Sequence, residues 1–310
     1  MIDDDAGRSL WSQVIRNHLG FPDGIRTADL RLLGHRQATN YGAELRNGRV
    51  IGLRRERGGF RLRLEPATGS DEALDGASPP GLDQHRDRER AVARRLGERP
   101  SGHGTTIAAR TVLLATGVVD EFPAFEGRDA CVGISLFWCI VCDGFEAMGR
   151  SVAVVGDDAE AVSTALGLTR FTERVALVTG RRRSRLTAAH ADALARRGVA
   201  IHRAPVQEYR HVEGQIERLG LEGAEVACDM VFVSAPKRPR AALASRLGAR
   251  ADERGYLAVD DDGRTTVTGI YAAGDVTAEH AHQVSAAVDG GAIAATAVNW
   301  DLLPREERIG

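Results

Sequence analysis

The sequence predicts an α/β fold with a Rossmann-type unit near its middle. Residues 151–156 form an apolar run, a helical stretch follows from Ala159 to Phe171, and residues 175–178 form a second apolar run. This strand–helix–strand order is typical of a parallel sheet covered by helices. Residues 110–117 form another continuous apolar run that closes on a small-residue turn, as a buried parallel strand does.

Two more strands are predicted towards the C-terminus. They lie at residues 230–233 and 269–275, and the second precedes an alanine-rich helix from Gln283 to about Leu302. With 310 residues, the chain is long enough for two domains.

The first part of the chain predicts one helix and a small antiparallel sheet. The helix covers Thr27 to Tyr41, with Thr27 as its N-cap and Gly42 just past its end. Residues 49–53 and 60–64 alternate in polarity around Gly58, which is the pattern of a hairpin.

Residues 66–104 break this pattern. They contain two adjacent prolines, several glycines and a charged block at residues 83–99. We predict an exposed insertion here, and a solvated surface segment is favoured over an arm that docks a partner.

Composition excludes several classes of function. The chain carries 41 basic and 43 acidic residues, so its charge gives no electrostatic case for binding nucleic acid or a membrane surface. The sequence shows no secretory signal and no run of about 18 apolar residues, which predicts a cytoplasmic location. Four cysteines are too few for a secreted disulfide scaffold, so a close pair favours chemistry or metal binding.

The run Trp138-Cys-Ile-Val-Cys-Asp-Gly144 is the most informative motif. Cys139 and Cys142 are one helical turn apart and can close a small disulfide, and Asp143 follows directly. A structural zinc site completed by Cys131 with Cys228 or a histidine is an alternative, but no second close pair exists. A thioredoxin domain is weaker still, because it is far shorter than this chain and no Rossmann-type unit would follow it.

The turn of the central unit reads Gly156-Asp-Asp-Ala-Glu-Ala161. A dinucleotide fingerprint has a second glycine where this chain has Asp158, and a carboxylate there crowds and repels a pyrophosphate. The context favours a Rossmann-type unit and leaves nucleotide binding open. The basic cluster at residues 181–185 suits a 2′-phosphate, which distinguishes NADPH from NADH, and a solvated basic loop is the alternative.

These motifs together resemble a known family. Ala115-Thr116-Gly117, the Cys139–Gly144 run, the unit at residues 152–178, and Gly274-Asp275 followed by Gln283 occur in the order and spacing of the low-molecular-weight thioredoxin reductases, which are pyridine nucleotide-disulfide oxidoreductases.

The resemblance implies an α/β architecture of two Rossmann-like, three-layer nucleotide-binding domains. The FAD-binding domain would be discontinuous, at residues 1–121 and 241–310, and residues 122–240 would form the NAD(P)-binding domain that carries the cysteines. The segment at residues 20–25 also looks like the family's segment near the flavin.

Roles follow from the same resemblance. Cys142 would face the flavin, Cys139 would attack the partner's disulfide, and Asp143 would move the proton. The residues implied for FAD are Asp3, Asn17, Thr116, Gly117, Gly274, Asp275, Gln283 and Val284, and those implied for NADPH are Gly156, Ala159, Arg181 and Arg182. Electrons would run from NADPH to FAD, to the cysteine pair, and then to a thioredoxin-like protein or a small-molecule disulfide. A homodimer is implied, and no metal.

The start of the chain departs from the family. Members open with a strand, a glycine-rich turn and a helix that hold the FAD pyrophosphate, whereas residues 1–4 look like the end of the second strand of that unit. A start that lies further upstream is favoured over a diverged FAD domain. We expect exposed apolar sheet edges and weak or absent FAD binding by this chain.

Two other functions compete with the reductase. One is a dithiol oxidase that passes electrons to oxygen without NADPH, which Asp158 favours and the basic cluster at residues 181–185 opposes. The other is a catalytically inactive binding protein that uses the thiols as a redox sensor.

Overall fold

A computed structural model describes residues 1–4, 7–65, 105–234, 236–277 and 282–308. The predicted insertion at residues 66–104 lies outside the described residues. The strands are, in chain order, β1 (Ile2–Asp3), β2 (Val14–Ile15), β3 (Ile25–Arg26), β4 (Arg46–Asn47), β5 (Arg49–Glu56), β6 (Gly59–Glu65), β7 (Thr106–Ala109), β8 (Val112–Leu114), β9 (Val118–Asp120), β10 (Leu136–Phe137), β11 (Val152–Val155), β12 (Val175–Val178), β13 (Ala200–His202), β14 (Val206–Val212), β15 (Gln215–Leu221), β16 (Ala224–Ala227), β17 (Met230–Val233), β18 (Lys237–Pro239) and β19 (Ile270–Ala272).

The α-helices are α1 (Thr27–Asn40), α2 (Arg128–Cys131), α3 (Ile140–Asp143), α4 (Ala159–Leu168), α5 (Ala188–Arg196), α6 (Ala242–Ser245) and α7 (Val284–Leu302). None of the helices in the described ranges has the length and apolar character that a membrane crossing requires.

A five-stranded parallel sheet forms the middle of the molecule, in the order β10-β17-β11-β12-β13. The predicted strand–helix–strand unit is confirmed as β11, α4 and β12, although α4 ends at Leu168 rather than Phe171. On one face, α4 buries Val162, Ala165 and Leu168 against the sheet. On the other face, the antiparallel sheet β14-β15-β16 packs against it, so this part has three layers.

The predicted N-terminal hairpin is confirmed as β5 and β6, and β7 adds a third antiparallel strand. The helix α1 is confirmed and Gly42 follows it with φ +85°, which is the left-handed conformation of a C′ glycine. The prediction of Thr27 as its N-cap was wrong. Arg26 holds that position, because the Thr27 hydroxyl donates to the carbonyl of Ser12 instead of capping the helix.

Two short parallel pairs stand apart in this half of the molecule. β8 pairs with β19 and β1 pairs with β4, and no strand of the described residues joins the two pairs. Residues 110–117 were predicted as a buried strand, but β8 has three residues and Leu113 is 40% exposed. α1 buries only Thr27. Apolar surface is thus exposed at Leu113 of β8.

Candidate active site

The redox pair lies at a single helical turn. Cys139 and Cys142 form a disulfide with an S–S distance of 2.05 Å, and α3 begins directly after Cys139. The backbone N–H of Cys142 donates to the Cys139 sulfur at 3.1 Å. A hydrogen bond to sulfur at a helix start favours the thiolate when the pair is reduced.

Zinc does not suit this arrangement. The two sulfurs of the pair bond to each other, and the described ranges contain no group of three or more His, Cys, Asp or Glu side chains placed to hold a metal ion. Cys131 and Cys228 are buried and free. Burial raises the pKa of the Cys131 thiol to about 11 and that of the Cys228 thiol to about 12.

Two amide side chains connect the redox pair to the start of α7. The Gln283 amide donates to the Cys142 sulfur at 3.4 Å and to the Cys139 sulfur at 3.6 Å. Asn17 donates to the Gln283 side-chain oxygen at 2.8 Å and to the backbone carbonyl of Val141 at 3.3 Å. Two residues predicted at the flavin, 266 positions apart in the chain, thus meet at the pair.

Asp143 follows Cys142 directly in the chain, at the end of α3, and it is buried. Burial and, to a smaller extent, the charge of Glu146 raise the pKa of its carboxyl to about 7, although the charge of Arg16 opposes the shift. A carboxylic acid with a pKa near the working pH can both donate and accept a proton. The position and the pKa of Asp143 therefore suit an acid/base.

The other residues predicted for FAD are spread over the first and last parts of the chain. Asp3, at the end of β1, pairs with Arg31 at 3.2 Å and lies 3.7 Å from His35. Burial would raise the pKa of Asp3, but His35 and Arg31 outweigh it and hold the pKa below its usual range. The Thr116 hydroxyl donates to the carbonyl of Arg240 at 2.8 Å.

The residues at the ends of β8 and β19 and at the start of α7 fit the flavin end of an FAD site. Gly274 has φ +71°, a conformation that favours glycine, and an added Cβ there would lie 3.3 Å from the Cβ of Ala287 in α7, which is a tight contact. At Gly117, with φ +66°, the added Cβ would meet nothing within 4 Å, which leaves room beside β8. The Gln283 side chain makes no capping hydrogen bond, so α7 begins without a side-chain cap.

The pyrophosphate end is different. The described residues supply no glycine-rich turn and helix start beside β1 or β8. The described residues therefore include groups suited to the flavin end of FAD, and they do not include the backbone amides that usually hold its pyrophosphate.

The dinucleotide turn between β11 and α4 is tightly packed. An added Cβ at Gly156 would lie 2.7 Å from the Cβ of Ala161 and 2.8 Å from the Cβ of Ser234. Asp158 is the N-cap of α4, its Oδ1 accepts the N–H of Ala161 at 2.8 Å, and Ser234 donates to the same carboxylate. As folded, this turn does not fit a pyrophosphate, because a carboxylate already lies at the helix start.

The basic cluster after β12 is paired with carboxylates. Arg181 lies 3.3 Å from Asp157, and Arg182 forms an ion pair with Glu222. Arg185 lies 3.5 Å from the same Asp157 carboxylate. Because the arginine side chains are exposed, both of the sequence alternatives, a phosphate site and a solvated loop, are compatible with this geometry.

Comparison with known proteins identifies the family. The family model described as pyridine nucleotide-disulphide oxidoreductase matches residues 82–291. The chain belongs to the pyridine nucleotide-disulphide oxidoreductases. This oxidoreductase is of the thioredoxin reductase type, and thioredoxin reductases of the family use FAD and NADPH.

Three relatives illustrate how far the likeness extends. The thioredoxin reductase of Treponema pallidum is 33% identical over 196 residues, which are 61% of this chain and 63% of that protein. The bifunctional thioredoxin reductase/thioredoxin of Mycobacterium leprae is 33% identical over 308 residues, 95% of this chain and 58% of that protein. The chain thus spans less than two thirds of either relative.

A solved structure gives the third comparison. The thioredoxin reductase of Streptococcus pyogenes superimposes with a TM-score of 0.75 at 22% identity, covering 94% of this chain and 85% of that one. At this identity the likeness shows the fold alone.

Sequence reasoning missed one residue that contacts the candidate site, Arg8. Its guanidinium pairs with Asp120 and reaches Asp275 at 2.9 Å, and it lies 5.9 Å from the centre of the Trp138 ring. One arginine thus contacts Asp275, a residue implied for FAD, and the tryptophan that precedes the redox pair. No local motif marks it, because Asp120 is 112 residues away.

Proposed function

We propose that this oxidoreductase reduces an external disulfide through Cys139 and Cys142, with Asp143 as the acid/base. The observation that carries the proposal is the Cys139–Cys142 disulfide, followed directly in the chain by a buried carboxyl whose pKa is about 7. The dithiol oxidase and the inactive redox sensor are not favoured, because the curated relatives are thioredoxin reductases.

The reduced pair would act in two steps. The Cys139 thiolate attacks one sulfur of the external disulfide, a bond forms between the two sulfurs, and the substrate's S–S bond breaks. The departing thiolate takes the proton of the Asp143 carboxyl. Cys142 then gives its proton to the Asp143 carboxylate and attacks the Cys139 sulfur, and the second product leaves with that proton. The external disulfide becomes two thiols and the pair becomes a disulfide.

FAD, when bound, supplies the two electrons that return the pair to its dithiol form. We propose that Asn17, Gln283 and Val284 hold the flavin ring, an assignment supported by the two amides that already contact the pair. The residues proposed for the rest of FAD are Asp3, Thr116, Gly117, Gly274 and Asp275. Those proposed to contact NADPH are Gly156, Ala159, Arg181 and Arg182.

We also propose three segments for the domain organisation. Residues 1–121 and 241–310 would form the FAD-binding domain, which the parallel pairing of β8 with β19 supports. Residues 122–240 would form the NADPH-binding domain, which the parallel sheet and the antiparallel β14–β16 sheet support. The pairing of β9 with β18 would lie where the chain passes between them.

A thioredoxin-like protein is the partner that we propose, ahead of a small-molecule disulfide. Val141, Phe145 and Met148 are exposed on and just after α3, and exposed apolar side chains beside a reactive pair suit a protein partner. The relative that combines reductase and thioredoxin in one chain supports the same choice. We further propose a cytoplasmic homodimer, which light scattering of the purified chain would test for its oligomeric state.

Single-cysteine variants test which thiol attacks. The chemically reduced chain is mixed with the chromogenic disulfide 5,5′-dithiobis(2-nitrobenzoate), so neither FAD nor NADPH is needed. We expect Cys142→Ser to trap one stable mixed disulfide on Cys139. We expect Cys139→Ser to react about tenfold more slowly, because the backbone N–H at the start of α3 donates to the Cys139 sulfur and not to the Cys142 sulfur.

The double variant Cys139→Ser/Cys142→Ser is the control for these reactions. Its remaining thiols, Cys131 and Cys228, are buried and should react only after unfolding. Faster reaction of Cys139→Ser than of Cys142→Ser would contradict the assigned order of attack.

A further inference from the structure

We infer that Asp158 acts as an internal anion in the dinucleotide site, which NADPH must displace in order to bind. The inference rests on the proposed use of NADPH by this chain. It makes Asp158 a determinant of NADPH affinity rather than only a departure from the fingerprint sequence.

The position of Asp158 carries the first step. In a Rossmann unit the pyrophosphate lies at the start of the helix that follows the first strand, and it accepts hydrogen bonds from the backbone N–H groups there. In this chain that helix is the ten-residue α4, and Asp158 is its N-cap. The Asp158 carboxylate accepts a hydrogen bond from the N–H of Ala161 at 2.8 Å. This N–H and the positive end of the helix dipole are therefore already paired with a negative charge of the chain itself.

Ser234 fixes this carboxylate from the neighbouring strand. Its hydroxyl lies 3.0 Å from both carboxylate oxygens of Asp158, and its own N–H donates to the carbonyl of Val155. The close approach of Gly156 to Ala161 and Ser234 leaves the turn little room to move away from the helix. The carboxylate is therefore held at the helix start by the backbone N–H of Ala161 and by the hydroxyl of Ser234.

The arginine side chains proposed to bind the 2′-phosphate are likewise paired with carboxylates of the chain. Asp157, whose side chain is 2% exposed, accepts from the Ser184 hydroxyl at 2.8 Å and from the Arg185 N–H at 2.9 Å, and it lies 3.3 Å from the guanidinium of Arg181. Arg182 forms an ion pair with Glu222. NADPH has two anionic groups, the pyrophosphate and the 2′-phosphate. The hydrogen-bond donors and cations proposed to bind them are already paired with carboxylates of the chain itself.

The two compensations differ in strength. The pair of Arg182 and Glu222 is exposed, and exposed pairs break easily, so a 2′-phosphate can take over this arginine. Asp158 is exposed as well, but its displacement breaks three contacts, namely the capping hydrogen bond from the N–H of Ala161 and two contacts to the Ser234 hydroxyl. The pyrophosphate end is therefore where most of the affinity is lost.

Two substitutions separate the effect of the Asp158 charge from the effect of its N-cap hydrogen bond. Asn is as good an N-cap as Asp, so Asp158→Asn keeps the helix start and removes the charge. Asp158→Gly restores the second glycine of the fingerprint and removes both the charge and the side chain. Asp192→Asn removes an exposed carboxylate from α5 in the same domain and is the matched control.

The measurement is NADPH affinity of the full chain by fluorescence titration at low ionic strength. We expect Asp158→Asn to bind NADPH several-fold more tightly than the unchanged chain, Asp158→Gly about tenfold or more, and Asp192→Asn equally. The gain should shrink as salt is added. Circular dichroism checks that each variant is folded.

Two outcomes would overturn the inference. One is that neither variant of Asp158 binds NADPH more tightly. The other is a gain in Asp158→Gly alone, because crowding by the side chain and not its charge would then be the obstacle. The thiol exchange of the chemically reduced pair, which contains no NADPH, reports on the proposed function separately.

Discussion

Replacing Asp143 with Asn should stabilise the protein above pH 7 and slow disulfide exchange by about 10²- to 10⁴-fold. The slower exchange follows from the loss of a positioned acid/base. The stabilisation follows from burial, which holds the pKa of Asp143 at about 7 against an ordinary value of 3.8. Between these two pKa values the folded chain binds a proton that the unfolded chain releases, so the folded state loses stability as the pH rises.

The size of the pH effect can be stated. A shift of about three pKa units corresponds to roughly 4 kcal/mol, lost as the pH rises from about 4 to above 7. Asp143→Asn should lack this loss, so its free energy of unfolding relative to the unchanged chain should increase with pH and level off above pH 7. Urea unfolding at several pH values, with the pair kept oxidised, measures the difference.

Glu146→Gln is the control for this variant. It removes the charge that raises the pKa of Asp143 and leaves the carboxyl in place, so its own pH effect should be small. A stability difference between Asp143→Asn and the unchanged chain that does not vary with pH would contradict the raised pKa. An unchanged exchange rate would contradict the acid/base role.

Replacing Arg8 with Met should destabilise the protein by about 3–5 kcal/mol, because it leaves a buried carboxylate without its counter-ion. Arg8 is 14% exposed and Asp120 is 1% exposed, and their contact is bidentate. Burial would lower the pKa of Arg8, but Asp120 and Asp275 outweigh it and raise the pKa, so the arginine stays charged. Thermal and urea unfolding give the loss.

A second substitution tests whether the loss comes from the buried charge. In Arg8→Met/Asp120→Leu both ions are replaced by apolar side chains, so much of the stability should return. The control is Arg16→Met, which removes an arginine from a more exposed pair with Glu146 and should cost about 1 kcal/mol or less. Equal losses for Arg8→Met and Arg16→Met would contradict the account of the buried pair.

Patterns within short stretches predicted the fold and the redox pair well. The apolar runs at β11, β12 and β17 define strands because each run is continuous and is buried on both faces. The disulfide follows from a separation of three residues, which brings Cys139 and Cys142 to one side of a helical turn. In such cases the deciding interactions lie within a few residues.

Contacts between distant residues could not be predicted. The sequence shows that Asp158 replaces a glycine, but not that Ser234, 76 residues later, holds its carboxylate. It shows a basic cluster, but not that Asp157 and Glu222 neutralise it. The N-cap of α1 was misassigned by one residue because the Thr27 hydroxyl has a partner in another segment. Only the three-dimensional arrangement supplies these partners.

The most direct test of the central claim is an electron count on the reduced chain. The chain is reduced chemically, freed of reductant and mixed with excess oxidised thioredoxin, and the thiols formed on thioredoxin are counted. The account predicts one thioredoxin disulfide reduced per chain, oxidation of Cys139 and Cys142 alone, and no reduction by the Cys139→Ser/Cys142→Ser variant. Equal reduction by that variant, or none by the unchanged chain, would contradict it.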